Sequence, residues 1–476
     1  MNPAPLRFCA AILIPFVGST LFFSSVPLIA QQPKTNVDLL VTSGLIVTMD
    51  PSRTIYEDGA IAVKGDSIVA VGPRTAIENQ YSAMQTIDAR GKLVMPGFIN
   101  GHTHVPMTLF RGLHDDVTLD DWLRKYIFPA GAKNVNEEFV RWGTRLAAAE
   151  QIRSGVTTFA DMYYFEDAVA EETKAAGMRG VLGETWLDFP APDNKSETAM
   201  IAYTEKYLQK WQGDPLIHAA VAPHSIYTCS RKTLEDAIGL ARKYKAPILI
   251  HVAEMKKEWE DSEKQNGASP VQYLQTVGLL GPDVLAAHCI FVDETDRKIL
   301  AQHNVGCVHN PSSNMMLASG VSPVPEMRTA GVAVGLGTDG PAGSNNDLDL
   351  MEEMDLAAKL TKITKNDPLA LNAKAVVEMG TIDGARALHM EKEIGSLEPR
   401  KKADLILIRL DRPNAVPMYD VYAQLAYALK ASDVQTVVIG GRVVMRDQIL
   451  LTVKEAEAVA KAREYKKSIA ASLGIQ

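Results

Sequence analysis

The chain has 476 residues, 46% of them hydrophobic, and a formal net charge of −8. That is enough apolar material for one large domain with an accessory part. With 49 Lys+Arg against 57 Asp+Glu, nothing in the charge balance favours nucleic acid as a partner.

In chain order, residues 1–30 read as a secretory signal peptide. Arg7 supplies positive charge, residues 8–23 form an apolar run, and Ala30 precedes the polar pair Gln31-Gln32. Cleavage after Ala30 is expected, with an exported, periplasmic or secreted location. No stable membrane insertion should follow, because the apolar run is short for a full span. Cys9 leaves with that segment, and the scattered Cys229, Cys289 and Cys307 are expected as buried free thiols.

Residues 37–96 read as short strands punctuated by Ser43-Gly44, Asp58-Gly59 and Arg90-Gly91, with no helix-period segment between them. From 97 to 392 short apolar strands alternate with amphipathic helices. The candidate strands are 98–104, 156–161, 180–186, 218–222, 247–253, 284–288, 306–309 and 332–338. Eight such units predict an α/β fold, a (β/α)8 TIM barrel rather than an open doubly wound sheet. Residues 393–476 return to β structure at 403–408 and 434–444 and end in a helix over 454–473. The two β pieces flanking the barrel predict a small β-sandwich domain built from both chain ends.

Polar residues fall on the strand ends. His102 and His104 close the first strand, His251 the fifth, His288 the sixth, and Asp339 follows the eighth. In a barrel these ends converge on one mouth, and alternate residues on a strand share a face. Three imidazoles and a carboxylate make a suitable set for one divalent ion, zinc before iron, with room for water.

The run Met95-Pro96-Gly97-Phe98-Ile99-Asn100-Gly101-His102-Thr103-His104 resembles the opening of the amidohydrolase superfamily. His251-Val252-Ala253-Glu254, Ala287-His288-Cys289 and Gly337-Thr338-Asp339-Gly340 resemble its later motifs. Pro223-His224-Ser225 and His309-Asn310-Pro311-Ser312-Ser313-Asn314 are similar to the branch holding the methylthioadenosine/S-adenosylhomocysteine deaminases and the triazine hydrolases. The resemblance implies one ion held by His102, His104, His251 and Asp339. It implies that Asp339 takes a proton from water, His288 orients the attacking oxygen, and Glu254 carries a proton to the ring nitrogen of the substrate. For substrate contact it implies His224, and the loops around it suggest Trp122, Arg111, Glu184 and Ser344.

Three departures bear on the substrate. Gly131 stands where nucleoside-specific relatives carry a glutamate for the ribose hydroxyls. Glu184 stands where adenosylhomocysteine deaminases tend to have arginine, and Met316 where many relatives have lysine. The expected reaction is hydrolytic release of ammonia from a small amino-substituted heterocycle: an adenine nucleoside, another aminopurine or a pterin. Two alternatives stay open: hydrolysis of another leaving group or a cyclic amide, as in triazine hydrolases, and an exported metal- or heterocycle-binding protein without turnover. A homo-oligomer is compatible with the resemblance, and the sequence does not count subunits.

Overall fold

The computed structural model describes residues 8–16, 18 and 33–474; the expected cleavage site after Ala30 lies outside them. Eight parallel strands close into a barrel: β1 (Phe98–Thr103), β2 (Val156–Tyr163), β3 (Arg179–Trp186), β4 (Ile217–Pro223), β5 (Ile248–Val252), β6 (Val284–His288), β7 (Gly306–His309) and β8 (Ala333–Leu336). These are the eight expected segments, with ends moved by a few residues. Most of the barrel strands are buried along their whole length, as a sheet covered on its outer face by helices and filled on its inner face requires. Inside, Ile99, Met162, Val181, Leu249, Leu285 and Val308 pack together, and Ala385, Leu388 and Met390 join them from the segment after the last barrel helices.

The helices begin and end where local chemistry dictates. The helix Glu137–Ser154 starts at Asn136, whose side chain accepts the Phe139 amide, and stops at Gly155, whose φ of 87° favours glycine. Gly143 lets this helix meet the turn after β1, since a Cβ there would lie 2.3 Å from the Pro106 carbonyl oxygen. Among the described residues, no helix is long and apolar enough to cross a membrane.

The two chain ends form a second, nine-stranded mixed sheet. Its hub is the strand Thr35–Val47, which pairs with Ile55–Lys64, Tyr81–Asp88 and Lys92–Pro96. The C-terminal strand Leu405–Arg409 joins by pairing antiparallel to Lys92–Pro96. One shared core holds Leu39, Val41, Ile61 and Val94 from the N-terminal part with Leu397, Leu405 and Val438 from the C-terminal part.

The structure corrects one expectation here, because the helix Arg74–Gln80 interrupts the N-terminal β block. Ile77 is its one buried residue, so no apolar repeat announces it. The helix over Glu455–Leu473 packs Ile469 and Tyr465 against the barrel's outer core, with the Tyr465 ring 5.6 Å from that of Phe139.

Candidate active site

Strand ends deliver the site. At the seam between the first and last strands, Asn100 donates to the Thr338 hydroxyl (2.9 Å) and accepts the Thr338 amide (3.0 Å), and a β-bridge joins Thr103 to Asp339. Gly337 makes the close approach possible: a Cβ there would sit 2.6 Å from Asn310 Oδ1 and 2.8 Å from the His102 amide nitrogen. Ala253, His288 and Asp339 all take positive φ, at 53°, 71° and 65°, where the chain turns from strand into mouth. Such backbone costs on the order of 1–3 kcal/mol at a non-glycine residue and is typical of functional sites.

The imidazoles of His102, His104, His251 and His288 surround one point. Their ring centroids lie 4.9 Å apart for His102 with His104 and with His251, and 5.4 Å for His102 with His288. His104 Nδ1 faces the Met162 carbonyl at 2.6 Å and His251 Nδ1 the His224 carbonyl at 2.8 Å. A carbonyl only accepts, so both Nδ1 atoms carry a proton and both Nε2 atoms face the common point. Asp339 Oδ1 lies 3.3 Å from His102 Nε2 and 3.2 Å from His104 Nε2. Potential ligand atoms of His102, His104 and His251, and likewise of His102, His288 and Asp339, lie within 4.8 Å of one another. Buried His102 Nε2 has no hydrogen-bond partner among the described residues. Electron-rich atoms converging in this way at a buried point are what a divalent cation resolves, so the donor set fits such an ion.

The acid–base candidates adjoin this point. His288 Nδ1 meets Asn314 Oδ1 at 3.0 Å, which leaves Nε2 turned toward Glu254 Oε1 at 3.8 Å and Asp339 Oδ2 at 4.0 Å. Asp339 is held by the Ser313 hydroxyl on Oδ2 (2.6 Å) and the Gly340 amide on Oδ1 (2.7 Å). Glu254 is fixed through its backbone, since the Ala253 and Glu254 amides both donate to Glu258, at 3.1 and 2.8 Å. Burial, reinforced by Asp339, pushes the Glu254 carboxyl well above the usual range, so its acid form persists to higher pH than an ordinary glutamate's. Burial pulls His224 down to about 3 and keeps that imidazole neutral.

A cleft opens above His104 and His224. Trp122, Leu123, Phe128 and Phe189 wall it on one side, Tyr163 and Thr185 on another, and Lys195 reaches its edge. No Asp or Glu is among the described residues lining it. Gly131 also lines it, and a Cβ added there would meet only Val135 Cγ2, at 3.9 Å.

Three residues expected at the substrate are not among those lining the cleft. Arg111 turns away from the cleft and pairs with Glu150, because the turn after β1 ends there and leaves its guanidinium beside the helix Glu137–Ser154. Glu184 is fully buried behind the wall, accepting the Glu166 amide and the Asn194 side chain, both at 3.1 Å. Ser344 donates to the Gly340 carbonyl at 2.7 Å and is likewise absent from the lining. It does not cap the next helix either, a task that falls to Asp349. Residues not assigned from sequence hold the site together: Ser313, Asn314, Glu258 and Asp161. The first two lie in a motif already singled out, and Glu258 stands four residues after Glu254, so a one-turn spacing was the available sign.

A model described as the amidohydrolase family matches residues 93–444. A 5-methylthioadenosine/S-adenosylhomocysteine deaminase of Syntrophus aciditrophicus is 45% identical over 438 residues, covering 92% of this chain and 99% of that protein. The crystal structure of an adenosine deaminase from Xanthomonas campestris with bound zinc superposes with a TM-score of 0.89 at 36% identity, over 92% of this chain and 99% of that one. An atrazine chlorohydrolase from Arthrobacter aurescens, complexed with zinc, superposes with a TM-score of 0.82 over 90% of this chain and 100% of that one; at 23% identity it speaks to the fold alone.

Proposed function

The chain belongs to the amidohydrolase family, and from that premise we propose that it hydrolytically deaminates an amino-substituted heterocycle of the adenine type. The observation that carries the reading is the convergence of the Glu254 carboxyl, Nε2 of His288 and the carboxylate of Asp339 beside the three imidazoles. The deaminase names of the relatives support it.

His102, His104, His251 and Asp339 would hold one divalent ion, and the zinc in the Xanthomonas relative supports zinc as that ion. Such an ion lowers the pKa of water by several units and supplies a nucleophile near neutral pH. Asp339 takes the proton that the water gives up. His288 Nε2, facing Asp339 and Glu254, orients the oxygen as it attacks. Glu254 gives its proton to the ring nitrogen beside the attacked carbon, which makes that carbon electrophilic. The C–N bond to the amino group then breaks as Asp339 passes on the proton it took, so the amine leaves as ammonia; the carbon keeps the oxygen, whose remaining proton returns to Glu254. The apolar wall of Trp122, Leu123 and Phe128 excludes water and stacks on a flat ring, and neutral His224 offers a directional hydrogen bond to it.

The test is ammonia release from adenine, adenosine, 5′-methylthioadenosine, aminopterins and amino-triazines, before and after chelation. Release that stops on chelation and returns with Zn²⁺ supports the reading; release unaffected by complete metal removal sinks it. Export belongs to the same reading. It rests on Arg7 and the apolar run behind it, and recovery of the protein only with cytoplasmic markers on cell fractionation would refute it.

A further inference from the structure

The loops that leave the first and last barrel strands meet again at the mouth. Residues 340–349 follow Asp339, and this loop is braced from within. Asn345 Nδ2 donates to the Thr338 carbonyl and to Glu353 Oε1, both at 3.0 Å, and Asn345 Oδ1 accepts the Asn346 amide at 2.6 Å. Residues 112–118, beyond the turn after β1, are of another kind. None of them is fully buried. They lead through the short helix Leu119–Asp121 to Trp122 in the cleft wall.

One side chain joins the two. Asn346 Nδ2 donates to Asp115 Oδ1 at 2.8 Å. Asn346 Oδ1 accepts the Gly112 amide at 3.1 Å and, within its own loop, the Gly343 amide at 3.3 Å. Among the described residues, the hydrogen bonds that tie residues 112–118 to a distant part of the chain all end on Asn346. The two backbones approach as closely as a glycine permits. Gly343 has a φ of 100°, and a Cβ there would lie 2.1 Å from the His114 carbonyl oxygen and 2.6 Å from Trp122 Nε1. Beside it the Trp122 indole donates to the Ala342 carbonyl at 2.9 Å. The Trp122 amide donates to the Thr118 carbonyl at 2.8 Å, so the ring sits about one helical turn beyond the end of the tied segment.

A segment with few buried contacts takes its position from the hydrogen bonds that it makes. A hydrogen bond to a carboxylate is among the stronger kinds. We infer that Asn346 is a positioning residue that latches residues 112–118 onto the loop following Asp339, and so sets the Trp122 ring in the substrate wall. A wall that stacks on a flat ring holds ground state and transition state alike, so a loosened wall raises KM and spares kcat. That effect on KM rests on the deaminase reading above; the latch itself does not.

The experiment follows amide hydrogen exchange over residues 112–122 of the full chain, with KM, kcat and bound zinc for the best ammonia-releasing heterocycle. Asn346→Asp keeps the accepting oxygen, removes the donor and sets a second carboxylate against Asp115. Exchange over 112–122 should quicken about tenfold and KM should rise about tenfold, with kcat and zinc content held. Adding Asp115→Asn puts an amide donor back across the same gap and should restore both values. If Asn346→Asp does not fold, Asp115→Ala removes the same contact from the exposed side and should show the same pair of changes. Unchanged exchange overturns the latch, and faster exchange at an unchanged KM overturns its link to the wall. A loss that Asp115→Asn does not repair overturns the pairing. A fall in kcat that tracks lost zinc would make Asn346 a brace of the ion site and overturn its assignment to the wall. A wild-type chain that releases no ammonia from any of the heterocycles overturns the deaminase reading, and the exchange measurement still decides the latch.

Discussion

The two ends of the barrel handle buried charge in opposite ways. At the lower end, where the barrel meets the nine-stranded sheet, Arg179 and Asp404 are almost completely buried and fully partnered. The guanidinium sits 3.0 Å from Asp404 Oδ2 and donates to the Pro215 carbonyl at 2.7 Å, while Asp404 Oδ1 accepts the Gly440 amide at 2.6 Å. At the mouth, His102 Nε2 and His288 Nε2 are as deeply buried and have no hydrogen-bond partner among the described residues. The first arrangement is complete without a visitor; the second is complete only with one. Buried polar groups left open in one place, beside a cleft, mark function more surely than burial or charge alone.

Three measurements would sharpen or break this contrast. The largest effect belongs to the mouth. Glu254→Gln keeps the shape and removes the transferable proton, so turnover should fall by about 10²–10⁴-fold with metal content unchanged. The same group sets a pH limb: because its carboxyl is raised, the acid form persists to higher pH than an ordinary glutamate's and is lost as pH climbs through that raised value. The alkaline fall in kcat should therefore disappear in the glutamine variant, and a limb that persists would assign it to another group. Next comes the lower end. Asp404→Ala leaves Arg179 buried without its counter-charge and should cost about 3–5 kcal/mol in urea unfolding, with KM unmoved in the protein that remains folded. A loss below about 1 kcal/mol would mean that the pair does not behave as a buried one. The smallest effect is Arg111→Ala. That side chain is partly exposed and pairs with Glu150 outside the cleft, so stability should change by less than about 1 kcal/mol and KM should not change. A large rise in KM would return Arg111 to the pocket.

Much of this was legible in the sequence, for a reason tied to geometry. A strand has a two-residue repeat, so His102 and His104 had to share a face, and barrel closure had to bring them toward His251, His288 and Asp339. Those positions depend only on strand order. Glu184, Arg111 and Ser344 depend on the paths of loops and on side-chain rotamers, which a strand pattern does not encode. Glu184 shows the limit well: it stands on a barrel strand beside pocket-lining Thr185, yet the Glu166 amide and the Asn194 side chain hold it behind the wall. The helix Arg74–Gln80 escaped because one buried isoleucine leaves no periodic trace.

The seam that closes the barrel carries a consequence for how the molecule comes into being. β1 and β8 share a single paired backbone position, Leu336 with Asn100, together with the Asn100–Thr338 contacts across 238 residues of chain. Bringing such distant segments together is slow, because the intervening loop must be closed before any contact repays its entropy. The ligand pair on β1 is made early during synthesis, whereas Asp339 is made only after the last barrel strand. With the proposed ligand set, a nascent chain holds no complete ion site until that seam has shut, and the order of events follows: strand eight first, then the four-residue set, then activity.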